Sequence, residues 1–165
     1  MATKSMRILF TFLFLCGLYP AYYAQQIESE LQVLSKGADV ILIGEVTEQA
    51  SSWNENKTRI YTKATIQVDE YIKGSNTQSI VTVKYLGGEV GEIGEMYSHM
   101  PRFEDNEEVL VFLKKGENNT DYKVFSGEVG KIRVVNDPQT GEKVTTSNVR
   151  VSSLKAQIKR LSKEQ

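Results

Sequence analysis

From Arg59 to Ile72 the chain alternates with period two: Ile60, Thr62, Ala64, Ile66 and Val68 fall on one side, and Tyr61, Lys63, Thr65, Gln67 and Asp69 on the other. Only an extended strand sorts side chains this way. One apolar and one polar face mark a strand that packs on a core and meets water on its back. A lone strand is not stable, so the chain has to supply neighbours.

Candidate neighbours are present on both sides. Val40-Ile41-Leu42-Ile43 is a β-branched run, too short for a core helix and apolar on both faces, which predicts a central strand continuing through Gly44-Glu45-Val46, with Gly44 at a bulge or bend. After the turn residues Lys73-Gly74-Ser75-Asn76, Val81, Val83 and Tyr85 alternate with Ile80, Thr82 and Lys84, predicting an antiparallel partner for the long strand. Val109-Leu110-Val111-Phe112-Leu113 reads as another buried strand, turned by Gly116-Glu117-Asn118-Asn119 into Tyr122–Phe125. Lys131 to Val135 and Lys143 to Thr146 flank Asn136-Asp137-Pro138-Gln139-Thr140-Gly141, a second, more exposed hairpin.

Two helices bracket these strands. Ile27, Leu31 and Leu34 recur at helical spacing before Gly37, predicting a short helix over about 27–36. Leu154, Ile158 and Leu161 do so after Ser152 or Ser153, either of which suits an N-cap. Lys155, Lys159, Arg160 and Lys163 then form the solvated outer face of that closing helix. The expected fold is mainly β, a small closed antiparallel barrel of about five to seven strands with a short N-terminal and a C-terminal helix. A closed barrel leaves no sheet edge exposed.

The first residues predict an address. Lys4 and Arg7 precede the apolar run Ile8–Cys16, and small residues Ala21 and Ala24 follow, the pattern of an export signal cleaved after Ala24. Tyr22 is large for its place before the cut, and Leu15 ahead of Cys16 argues against lipidation. Removing 1–24 leaves residues 25–165, enough for one domain. Cys16 is the only cysteine, so that domain relies on its core without disulfides. The expected location is secreted or periplasmic, with no stable membrane span once the signal is gone.

Charge narrows the partners. Of 20 basic and 21 acidic residues, loss of Lys4 and Arg7 leaves 18 against 21, which offers no concentrated basic face for nucleic acid. Asn56-Lys57-Thr58 and Asn118-Asn119-Thr120 match a glycosylation pattern and are read as exposed loops.

Chemistry is sparse. His99 is the only histidine, so sites of two imidazoles, and zinc sites of cysteine and histidine, are ruled out. There is no Gly-x-Ser-x-Gly elbow, and Ser98 beside His99 points away from it on an extended chain. Gly87-Gly88, Gly91 and Gly94 lack the start of a phosphate loop and read as a flexible loop with bulges. Glu89, Glu92 and Glu95 among them lack the ladder of a calcium site. Asp39, Glu45 and Glu108 lie at strand starts or turns, where solvation explains them. No catalytic residue, metal or cofactor is expected.

The stretch from Gly87 to Phe103 is long for a strand connection and concentrates Met96, Tyr97, His99, Met100, Arg102 and Phe103. Two readings stay open: a binding loop, or a plug in which Tyr97, Met100 and Phe103 complete the core. Trp53, the only tryptophan, lies among polar residues in the expected loop before the long strand and suits either a barrel cover or a ligand grip. The candidate binding residues are Trp53, Tyr97, His99, Met100 and Arg102.

Ala38-Asp39-Val40, Ile60-Tyr61-Thr62, Ile72-Lys73-Gly74, Phe103 followed by Glu108-Val109-Leu110-Val111-Phe112-Leu113, and Gly130-Lys131-Ile132 resemble a family of uncharacterised bacterial exported proteins over roughly residues 30 to 160. More distantly, Ala-Asp-Val before a strand, Tyr and Lys-Gly around the long strand and the later Glu-Val-Leu-Val strand are similar to the netrin-like, tissue-inhibitor-of-metalloproteinases family. That resemblance implies an OB-type barrel. It does not carry inhibition with it: the inhibitors begin with a cysteine that chelates the protease zinc, whereas Gln25 is expected to come first here and no cysteine remains. The expected function is a non-enzymatic exported domain that binds an extracytoplasmic protein or other ligand. The alternative, on the distant likeness alone, is a protease inhibitor or protease-associated domain.

Overall fold

The period-two segment forms a strand in the computed structural model, which describes residues 29–74, 78–116 and 120–163. The expected export signal, Cys16, Gln25, Ile27, and the turn residues at 75–76 and 117–119 lie outside the described residues. The chain divides into two units, 1–33 and 34–165. Of the first, residues 29–33 are helical, the start of helix α1 over 29–37; the barrel lies wholly in the second.

The long strand is β2 (Ile60–Lys73), and its Ile60, Thr62, Ala64 and Ile66 are buried as the alternation predicts. It pairs antiparallel with β1 (Val40–Trp53) on one side and β3 (Ile80–Leu86) on the other. Strand β6 (Glu108–Lys115) turns into β7 (Tyr122–Val124), and β7 meets β3 in a parallel pairing at Val83 and Tyr122. Because β1 also pairs with β6, the ring β1-β2-β3-β7-β6 closes on itself. This is the OB-type barrel, with one parallel seam in an otherwise antiparallel wall.

Closure requires β1 to bend. Its register slips between Ile43 and Gly44, as that glycine predicts, and again after Ile41 and Val46. A side chain at Gly44 would sit 2.3 Å from the Gln67 carbonyl, so only glycine lets β2 cross so closely. Val40, Leu42 and Val46 then face Ala64, Ile66, Val81, Val83, Val109, Val111 and Leu113 in the inner core. The opposite face of the same wall is buried as well: Ile41 lies across from Phe112 and Ile43 from Leu110, all at most 5% exposed. Burial on both faces is why these runs carry no alternation.

Three expectations need correction. Strand β1 continues to Trp53, so that residue ends a strand and does not sit in a loop. Thr47–Gln49, Ser51 and Ser52 are polar because the strand here has left β6 and extends past the core, held to β2 by contacts such as Ser51 Oγ to Thr62 Oγ1 at 2.8 Å. The glycine-rich segment is an ordered hairpin, β4 (Gly88–Val90) with β5 (Ile93–Glu95), turned by Gly91 at φ 64°. Finally, the closing helix α2 (Val151–Lys163) takes in Ser152 and Ser153, so neither caps it.

The exposed hairpin is present as β8 (Lys131–Asn136) and β9 (Lys143–Thr145), preceded by a short 3-10 turn at Gly127–Gly130. Strand β8 extends the sheet on the free side of β6, placing Arg133 across from Val109 and Lys131 from Val111. Helix α2 buries Val151, Leu154, Ile158 and Leu161 and is tied to β2 through Lys155 and Lys159 on Glu70. No helix among the described residues is long and apolar enough to cross a membrane.

Candidate functional site: the 96–107 loop between two clefts

Everything between β5 and β6 is irregular, yet it is pinned at both ends. At its start, Glu95 Oε2 accepts the Ile60 backbone N–H at 3.0 Å and the Tyr97 hydroxyl at 2.9 Å, and the Gly87 N–H donates to the Ile60 carbonyl at 2.8 Å. Gly88 lies so close to the barrel mouth that a side chain would meet Thr62 Oγ1 at 2.2 Å. At its end, the Asn106 N–H donates to Val46 and the Val46 N–H to Glu107, so the loop returns as a continuation of the sheet.

The Glu95 carboxyl is held below the ordinary carboxylate value of 4.5, first because the Ile60 N–H favours its charged form and then because the Tyr97 hydroxyl does. Since the folded value is the lower one, this strap is complete above about pH 4.5 and weakens as pH falls through the depressed value. The expected result is an Ile60 amide NMR signal that stays put from neutral pH down to about 5 and moves only in more acid solution. Glu95→Gln should abolish that acid step.

In the middle, Phe103 turns inward, buried at 6% exposure and 5.6 Å from the Tyr85 ring, so it completes the inner core as the plug reading held. Tyr85 in turn donates to Gln49 Oε1 at 2.9 Å, and Gln49 Nε2 to Asp105 at 3.0 Å. Tyr97 and Met100 are only half-buried. Met96 is 75% exposed, and His99 and Arg102 are exposed too.

Met96, Tyr97, Met100 and Arg102 form a ridge between two clefts. One, of about 520 Å³, lies over the barrel mouth against Ser51, Thr62 and Tyr85. The other, of about 670 Å³, adds His99 on the loop side and is closed by Glu128, Lys131, Arg133 and Thr146. The structure therefore brings together Tyr97, His99, Met100 and Arg102 of the expected set. Trp53 is half-buried at the end of β1, opposite Ile60, and lines neither cleft.

His99 adopts φ 64°, a conformation that is rare away from glycine and is held by its surroundings. Its carbonyl accepts the Glu128 N–H at 2.9 Å, an approach that a side chain on Gly127 would block at 2.2 Å. Behind the second cleft, Lys131 reaches Glu107 Oε1 at 2.5 Å and the Arg102 carbonyl, and lies 5.0 Å from the Phe103 ring centre. Arg133 pairs with Glu104 at 2.8 Å. Lys131, Arg133, Glu128 and Thr146 lie far from the loop in sequence; the β6–β8 pairing places Lys131 and Arg133, the bond to the His99 carbonyl places Glu128, and Thr146 follows β9.

Asp39 is bound by Lys114 and the Lys115 N–H, and Glu108 by Lys143. Each is explained by its ion pair.

No protein-family model matches this chain, and no curated protein matches its sequence.

Proposed function

We propose that the chain is an exported, non-enzymatic OB-type domain that binds an extracytoplasmic protein through the ridge of the 96–103 loop. The observation that carries this reading is the ridge itself: exposed Met96 and Arg102 flank half-buried Tyr97 and Met100 on a loop fixed at both ends. Aromatic residues, methionine and arginine are the side chains that anchor protein interfaces. Binding loops carried by a rigid scaffold lose little freedom when they engage a partner. Arg102 makes no ion pair or side-chain hydrogen bond among the described residues, which leaves its guanidinium available to an acidic group.

A photo-crosslinking side chain placed at position 96, in cells that make the protein, tests this. The expected result is one discrete adduct, weakened at least roughly tenfold by Arg102→Glu and not seen with the same crosslinker at Glu142 in the β8–β9 turn. Equal labelling from both positions, or no adduct from position 96, discards the ridge.

A further inference from the structure

Met96, His99 and Met100 lie within five residues of one another, and all three line the 670 Å³ cleft. The chain turns between Tyr97 and Met100, whose N–H points to the Tyr97 carbonyl at 3.4 Å, while the Glu128 N–H fixes the backbone at His99. Two thioethers and an imidazole thus line one cleft, on a loop whose backbone is held at His99. None of the three side chains has a hydrogen bond or ion pair among the described residues.

We propose that this loop binds one soft monovalent metal ion, Cu(I), through the sulfurs of Met96 and Met100 and one imidazole nitrogen of His99. Thioether sulfur selects soft ions, and imidazole suits copper as well. The surrounding charge narrows the choice further. Lys131 and Arg133 on the cleft wall are already paired with Glu107 and Glu104, which leaves Arg102 and the carboxylate Glu128 as the charges on that wall without such a pair among the described residues. A hard dication needs several oxygen donors, and this lining offers one carboxylate, Glu128. Zinc favours thiolate, imidazole and carboxylate in larger number than one histidine provides. A monocation held by neutral sulfur brings the least charge into this field. No group of three or more histidine, cysteine or acidic residues placed to hold a metal occurs among the described residues, so thioether is the donor that sets this loop apart.

The proposal does not rest on the partner-binding reading, and because crosslinking at position 96 uses no metal, either result stands without the other. The test uses the full chain with Cys16→Ser, which removes the competing thiol, and carbon-13 labels on the methionine methyl groups. Titration with Ag(I), an air-stable analogue, is followed by competition for Cu(I) against a colorimetric chelator under reducing conditions. The Met96 and Met100 signals should move together and saturate at one equivalent, while Met1 and Met6 stay in place and Zn(II) and Ca(II) have no effect. Met96→Leu and Met100→Leu keep side-chain volume, and His99→Asn tolerates the positive φ. Each should lower Cu(I) affinity roughly tenfold or more, with the fold intact by circular dichroism. Unmoved Met96 and Met100 signals at excess metal, an equal response to Zn(II), or unchanged affinity in the triple variant overturns the site.

Discussion

Phe112→Ala is expected to lower the unfolding free energy by about 3–5 kcal/mol, a large part of what a domain of this size possesses. Phe112 is the largest side chain with no exposed surface, and it lies on the outer face of the wall that β1 and β6 share. Its register partner Ile41 is equally buried, so neither strand can slide inward to fill the space. Alternation fixes the wall to both neighbours, and a residual cavity adds to the lost transfer energy. Urea denaturation followed by circular dichroism measures it. A loss below about 1 kcal/mol would mean that the outer layer collapses freely onto the wall. Val135→Ala serves as the control, because Val135 is 38% exposed on β8 and should cost little.

The same wall explains what was legible in the letters. Ile60 to Ile66 alternate because β2 has one wet face, and Val40–Ile43 and Val109–Leu113 do not because theirs has none. Together they specify a closed β structure. The outer half of β1 is not legible because Glu48–Ser52 pair with β2 through backbone bonds past the core and carry mostly polar side chains, which leaves no hydrophobic period to read. The β4–β5 hairpin was readable in principle, since Val90 and Ile93 flank a two-residue Gly91-Glu92 turn. Its glycines suggested looseness, whereas two of them are demanded by contact: Gly87 and Gly88 approach the Glu95 carbonyl and Thr62 too closely for any side chain.

The loop side of the candidate site was legible because its residues are consecutive and compositionally odd. The opposite side was not. Lys131 and Arg133 resemble ordinary charged residues on an exposed hairpin, and only the register of β8 on β6 turns them toward the loop. Glu107 is the least legible of all, since nothing in its neighbours announces a carboxylate with 1% of its side chain exposed.

Glu107→Ala is accordingly expected to be as damaging as the loss of Phe112, for an electrostatic reason. Glu107 Oε1 accepts the Glu104 N–H at 2.9 Å and faces Lys131 Nζ at 2.5 Å, while Oε2 has no hydrogen-bond partner and only a distant Arg133 at 3.8 Å. The Lys131 side chain is itself only 13% exposed. Removing one member of such a pair strands the other charge in a poorly solvated place, which costs about 3–5 kcal/mol. Lys131→Met should be similarly costly, because it leaves the carboxylate alone. Replacing both, Glu107→Ala with Lys131→Met, should recover much of the loss, since no charge then stays buried and unpaired. Urea midpoints of the four proteins give the coupling directly, and a double variant as unstable as the sum of the singles would show that the two groups do not act as a pair. Because Lys131 also holds the Arg102 carbonyl and covers the Phe103 ring, the single variants should speed amide exchange at Phe103 and Asn106 as well. The pair that stabilises the fold would then also be what keeps the ridge in one shape, and the candidate site would lose its geometry by the same substitution that weakens the barrel.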